Sequence, residues 1–321
     1  MVYQHYRLLL DDREKKIYDK LYRGIKNFDK EIHLPRLTQK EFEKIYNYIS
    51  LDNPIFFYFQ ECNYLLKINE LICMPIYLYD QNTIDNYLAE IGRLTKVFKN
   101  TKNLNDYDFI LYINALFKRK ITYHDDETFV CHSVIGSMIN KKAVCDGISK
   151  LFKYICDINN IYCVVVNGEA KSAYNSPIYG PHAWNKVKIN GEWVHIDLTY
   201  NLTVGSQSVR HDYCFLSDDA IGRTHVVDID DKLVCKDESL NYFVYHNLVM
   251  KNQNTLRNFL EKIIDESKNE FEFKIPKTKD IDQLTDKVFK ITQEILLKKS
   301  IYKNVTIEYN LDQLIYFIRL G

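Results

Sequence analysis

Apolar residues recur at Ile17, Leu21, Tyr22 and Ile25 within DREKKIYDKLYRGIKNF, a stripe that predicts a helix over residues 12–28. Thr38 followed three residues on by Glu41, with Leu37 just ahead, is a capping-box start for a second helix reaching about Ser50. IFFYFQ, NYLLKI and MPIYLYD then read as three strands, and residues 84–100 and 106–119 return to helical spacing. Ile148, Leu151, Phe152, Ile155 and Ile158 share one helical face, so a helix begins near Asp146 or Gly147, and IYCVVV after it is a strand. Alternating segments then flank Asn190-Gly191, the strongest short signal for a two-residue hairpin turn. Residues 241–300 are read as long helices, 303–310 as a final strand and the remaining tail as a short helix.

This order predicts an α+β fold. The chain divides into an N-terminal mixed domain (1–103), a middle domain (104–240) holding the clustered chemistry, and a mostly helical C-terminal segment with a terminal strand (241–321). No internal repeat interrupts it.

Composition narrows the classes. With 46% hydrophobic and 27% charged residues the chain has the balance of a folded protein. Lys+Arg and Asp+Glu are both 43, and no basic run points to nucleic acid. The N-terminus lacks a signal-peptide pattern, and no apolar run nears the roughly 20 residues that span a bilayer. A cytoplasmic protein without membrane partners is expected. The eight cysteines (62, 73, 131, 145, 156, 163, 214 and 235) lack metal-site spacing, so no metal or other cofactor is expected. All eight should be reduced, and most should be core residues.

The hairpin HAWNKVKINGEWVHID carries candidate chemistry at its ends. A type I′ turn at Asn190-Gly191 pairs Ile189 with Glu192, Val187 with Val194, Trp184 with Asp197 and His182 with Thr199. His182, Trp184, Trp193, His195 and Asp197 then share one face, while Ala183, Val187, Ile189, Val194, Ile196 and Leu198 make the other. As diagonal neighbours, His182 and Asp197 can bond, fixing the imidazole tautomer. His195 is the rival base, but it opposes Lys186 nearer the turn. Trp184 and Trp193 either wall a cleft or belong to the core.

Cys145 falls at the start of the predicted helix, where free N–H groups and the positive dipole end favour a sulfur anion. Cys156 and Cys163, inside the helix and strand, read as core. A helix-start cysteine followed by strands bearing His then Asp fits nucleophile, base and orienting acid.

The segments HSVIGSMINKKAVCDGISKLFKYICDINNIYCVVVNGEA, GPHAWNKVKINGEWVHIDLTYN and HDYCFLSDD resemble the transglutaminase-like superfamily over about residues 120–230. The resemblance implies a papain-like core, a helix packed on an antiparallel sheet, and assigns the same roles to Cys145, His182 and Asp197. Ile148, Ser149 and Lys141 depart from the family's usual residues without removing a reacting group. His132 is the candidate side-chain donor to an oxyanion, beside the Cys145 backbone N–H. The implied activity is cleavage or transfer of an amide of a peptide or protein through a thioester, with hydrolysis by a peptidase or amidase preferred. A transglutaminase or dedicated acyltransferase, and a silent binding protein of the same fold, are the alternatives.

Overall fold

The structure, a computed structural model, describes residues 2–125, 128–172, 176–203, 208–228, 231–276 and 281–321. The chain opens with one helical turn, α1 (His5–Leu8), and the amphipathic α2 (Asp12–Lys26), which buries Ile17, Leu21 and Ile25 as the sequence stripe requires. Strand β1 (Ile32–Pro35) leads to α3 (Gln39–Asp52), whose start is the reciprocal Thr38–Glu41 capping box. Next come the hairpin of β2 (Phe59–Leu66) and β3 (Glu70–Tyr77), then α4 (Gln81–Thr95). The three strands pair in the order β1-β3-β2.

Two expectations are corrected in this region. IFFYFQ is mostly a turn with Phe56, Phe57 and Tyr58 buried, so the three expected strands are two. Cys62 and Cys73 are not reduced but joined in a disulfide, with their Cα atoms 6.1 Å apart. The register pairs Cys62 with Pro75 and Tyr64 with Cys73, which leaves the two cysteines one diagonal step apart across the hairpin.

The middle of the chain begins with α5 (Asp106–Lys120) and β4 (Thr122–Tyr123), which pairs in parallel with β5 (Lys142–Ala143). Helix α6 (Cys145–Ile158) follows directly. Its buried face of Ile148, Leu151, Phe152 and Ile155 lies on β6 (Cys163–Lys171) and β7 (Tyr179–Ile189). Each such side chain contributes roughly 1.5–3 kcal/mol on burial. Strands β8 (Glu192–Ile196), β9 (Cys214–Leu216) and β10 (His225–Val227) complete an antiparallel sheet of order β10-β6-β7-β8-β9. Two short helices, α7 (Leu198–Thr203) and α8 (Asp218–Ile221), lie between these strands. The expected turn forms: Asn190 (φ 51°) and Gly191 (φ 94°) both take the left-handed conformation that a type I′ turn demands.

The C-terminal part holds α9 (Tyr242–Tyr245), α10 (Gln253–Asp265), β11 (Glu270–Lys274), α11 (Ile281–Lys298), β12 (Val305–Asn310) and β13 (Ile315–Leu320). The tail expected to be a short helix is β13, the central strand of a sheet of order β11-β13-β12. Its IYFI run is buried throughout, and a central strand with both faces covered shows no polar–apolar alternation. EFEFK, placed among helices from the sequence, is β11.

Most buried apolar side chains between Tyr6 and Leu240 form one cluster, those from Met250 to Leu320 a second, and Tyr213, Leu216, Ala220 and Ile221 a small third. The Tyr6 hydroxyl donates to the Val165 carbonyl (2.6 Å), and Lys153, fully buried on α6, bonds the Tyr3 carbonyl (2.9 Å) and Asp157 (3.0 Å). Among the described residues no helix is long and apolar enough to cross a membrane.

Candidate active site

Strand β7 presents His182 opposite Gly168 of β6, one strand in from the β10 edge. The hairpin register matches expectation from Ile189–Glu192 to Asn185–Ile196, then stops. The pairs Trp184–Asp197 and His182–Thr199 do not form, because Asp197 leaves the sheet to begin α7. Its Oδ1 accepts the Tyr200 N–H (3.0 Å), and its carbonyl accepts the Asn201 N–H (3.2 Å). The other carboxylate oxygen, Oδ2, accepts His182 Nε2–H at 2.8 Å. The two residues meet as expected, but through a helix cap rather than a strand diagonal.

Cys145 is the first residue of α6 and is partly buried. Val144 precedes it and supplies no side-chain cap, while the first i→i−4 bond of the helix runs from Ile148 N to Val144 O. The amides of Cys145, Asp146 and Gly147 thus have no intrahelical acceptor, and the positive end of the helix dipole lies among them. The sulfur lies near enough to His182 to help raise the imidazole pKa. Since Nε2 is taken by Asp197, Nδ1 is the ring nitrogen left for the sulfur.

Burial alone would lower the His182 pKa, but the Asp197 charge and hydrogen bond, together with Cys145, push it up to about 10. Asp197 is fully buried, which favours its neutral acid; the charge and hydrogen bond of His182, joined by His225, hold it well below the usual carboxylate range. At neutral pH the pair is therefore an imidazolium on a carboxylate.

The rival base is engaged elsewhere. His195 opposes Lys186 as expected, is buried, and takes the Trp184 indole N–H at Nδ1 (3.0 Å) while donating Nε2–H to Asp218 (2.9 Å). Burial lowers its pKa against the pull of Asp218, so it stays neutral. Trp184 is fully buried: of the two roles open to it, cleft wall or core, it has the core one. Its ring lies nearly parallel to His182, 6.1 Å away. Trp193 packs against Tyr3 and His5. His132 stands near the helix start, its Nδ1 3.8 Å from Asp146 and its carbonyl bonded by Lys150 (3.2 Å).

Three residues at this site escaped the sequence reading. His225 donates Nε2–H to the same Asp197 oxygen at 3.0 Å. Tyr200 sets its ring 5.0 Å from His182 and anchors its hydroxyl on the Lys171 carbonyl. Tyr123, half-exposed on β4, has its phenol pKa raised by burial and by the charges of Cys145, Asp125 and Asp197. Ligand atoms of His182, Asp197 and His225 lie within 4.8 Å of one another, as do those of His195, Asp218 and Cys235, and of Asp125, Cys131 and His132. In the first two groups nitrogen and carboxylate satisfy each other at hydrogen-bond distance.

Residues 96–198 match the family described as the transglutaminase-like superfamily, a stretch that contains Cys145, His182 and Asp197. The chain thus carries a transglutaminase-like domain. Among solved structures, a transglutaminase matches at 14% identity and a TM-score of 0.33, covering 57% of this chain and 54% of its own. A candidate cysteine protease from Cytophaga hutchinsonii matches at 15% identity and a TM-score of 0.29, covering 43% of this chain and 61% of its own. No curated protein matches the chain.

Proposed function

We propose that the protein is a cysteine-dependent amidohydrolase, a peptidase or amidase, in which Cys145 is the nucleophile, His182 the proton carrier and Asp197 its orienting acid. The observation that carries this reading is His182 held on one nitrogen by a buried carboxylate, with Cys145 beside the ring at an uncapped helix start. A transglutaminase-like match over the same residues supports it.

The Cys145 sulfur attacks the amide carbonyl carbon, and the oxyanion is met by the Cys145 amide at the helix start, with His132 kept as the side-chain donor. As the C–N bond breaks, the imidazolium of His182 gives its Nδ1 proton to the leaving nitrogen, and a thioester remains on Cys145. Water then attacks the thioester while His182 takes up a proton, releasing a carboxylic acid and the free sulfur. Asp197 keeps Nε2–H fixed throughout, so the ring presents the same nitrogen in both steps. A primary amine in place of water would make the same intermediate a transfer reaction.

A peptide chloromethyl ketone alkylates a nucleophilic thiol irreversibly with loss of chloride, and peptide mapping locates the adduct. The adduct is expected on Cys145 and lost in His182→Ala. An adduct only on other cysteines, or none, rejects the assignment. Release of ammonia or amine from peptide amides, compared with and without added primary amine, separates hydrolysis from transfer.

A further inference from the structure

We infer that His225 is a positioning residue of this site: by donating to Asp197 Oδ2 it fixes the carboxylate oxygen that orients His182. The inference rests on the proposed roles of Cys145, His182 and Asp197.

Asp197 has two oxygens and three donors. Oδ1 is committed to the Tyr200 N–H (3.0 Å), while Oδ2 receives Nε2–H from both His182 (2.8 Å) and His225 (3.0 Å). A carboxylate held only by a helix cap and by a partly accessible histidine could turn about its last bond. The third donor comes from the closed side. The side chains of His225 and Asp197 are both fully buried, whereas His182 keeps 9% exposure. His225 is thus a brace behind the carboxylate, away from the space where a substrate would enter.

The brace is built into the fold. β10 pairs with β6 so that His225 faces Ala170 and Val227 faces Gly168. Gly168 is also the residue opposite His182, and a Cβ there would stand 2.0 Å from the Val226 carbonyl. The bare backbone of Gly168 lets β10 approach and brings the second imidazole to Asp197. Around His225 the facing groups are His182 (5.4 Å), Trp184 (4.8 Å), Tyr200 (5.0 Å) and Tyr213 (5.8 Å), with the Thr224 hydroxyl 2.8 Å from Nδ1. Burial lowers the His225 pKa, while the Asp197 bond and charge oppose that shift. A neutral ring can donate to the carboxylate without competing with the His182 charge for it.

The test compares two substitutions of similar size in the full chain. In His225→Gln a side-chain amide can still donate; in His225→Met nothing can. The readout is the rate of Cys145 alkylation by iodoacetamide as a function of pH, which needs no substrate. His225→Gln should stay close to the native profile. His225→Met should alkylate on the order of tenfold more slowly at neutral pH. Equal profiles for the two folded variants overturn the inference. If His225→Met does not fold, nitrogen NMR of the native protein decides: an Nε2–H tautomer for His225 that changes in Asp197→Asn supports the brace, and an Nδ1–H tautomer overturns it. Should native alkylation be indifferent to His182→Ala, the proposed triad itself fails. Sensitivity to His182 without sensitivity to the His225 donor defeats only the brace.

Discussion

His182 is held at Nε2 by Asp197 and lies beside Cys145, and this arrangement makes the site pH-dependent in two directions. His182 is raised from 6.5 to about 10, so its contribution to stability is whole below pH 6.5 and is lost as pH rises through about 10. Asp197 is depressed from 3.8, so its contribution is present above that value and is lost as pH falls through its lower folded pKa. The urea midpoint of the native protein minus that of Asp197→Asn should therefore be largest between about pH 4 and 6.5, and shrink toward pH 10. A difference that stays flat to pH 10 would mean that His182 is not charged on the carboxylate. That Cys145 opens a helix and that His182 meets Asp197 were legible in the sequence, although the Asn190-Gly191 register ends at Asn185–Ile196 and the contact runs through the start of α7. His225 was not. It reaches Asp197 only through the pairing of β10 with β6 across Gly168, a contact that leaves no local pattern.

Between elements, α6 and β7 are locked by side chains that a binary pattern scores as errors. The Ser149 hydroxyl on α6 donates to the Ala183 carbonyl (2.9 Å), and Asn185 on β7 returns a bond to the Ser149 carbonyl (3.1 Å) and another to Val164 (3.2 Å). Both of these side chains are buried, and the bond to Ala183 fixes the helix carrying Cys145 at the residue next to His182 on its strand. Asn185→Leu should cost about 1–3 kcal/mol, because two buried carbonyls lose their donor. Urea denaturation at unchanged m-value measures that loss, and a stability unchanged from native would dismiss the lock. Periodicity served well for α2, α3, α5 and α6, whose stripes are one-sided. It failed for β13, where both faces are covered, and for IFFYFQ, whose aromatic run fills the core from a turn. The Cys62–Cys73 disulfide was missed because cysteine pairing depends on hairpin register rather than on spacing alone.

At the scale of the whole molecule, a buried ionic knot ties the C-terminal sheet to the middle of the chain. Arg210, 2% exposed, grips Asp212 with two nitrogens (2.9 and 3.0 Å), and Asn310 from the C-terminal sheet bonds the same carboxylate (3.0 Å). Glu308 reaches the Arg210 guanidinium at 3.3 Å, and the Phe317 ring lies beneath it at 4.8 Å. Removing one partner of such a pair strands a charge, so Arg210→Ala should lose about 3–5 kcal/mol. Limited proteolysis should then cut residues 250–320 at protease levels the native chain withstands; cleavage no faster than native would show that the knot does not hold the C-terminal part. The α+β class followed from the order of helical and alternating segments. The knot joins Arg210 and Asp212, two residues apart, to Asn310 in the C-terminal sheet, a long-range pairing that no local pattern marks.

The central claim is that Cys145, His182 and Asp197 act as one unit, and competitive alkylation tests it most directly. Six cysteines lie outside the disulfide, and Cys131, Cys156, Cys163, Cys214 and Cys235 are buried while Cys145 is only partly so. With limiting iodoacetamide near neutral pH, Cys145 should be modified first in the native protein. His182→Ala, which if anything uncovers the sulfur, and Asp197→Asn should each slow that modification by on the order of tenfold or more. A Cys145 rate unchanged by either substitution would contradict the account, since exposure alone would then explain its reactivity.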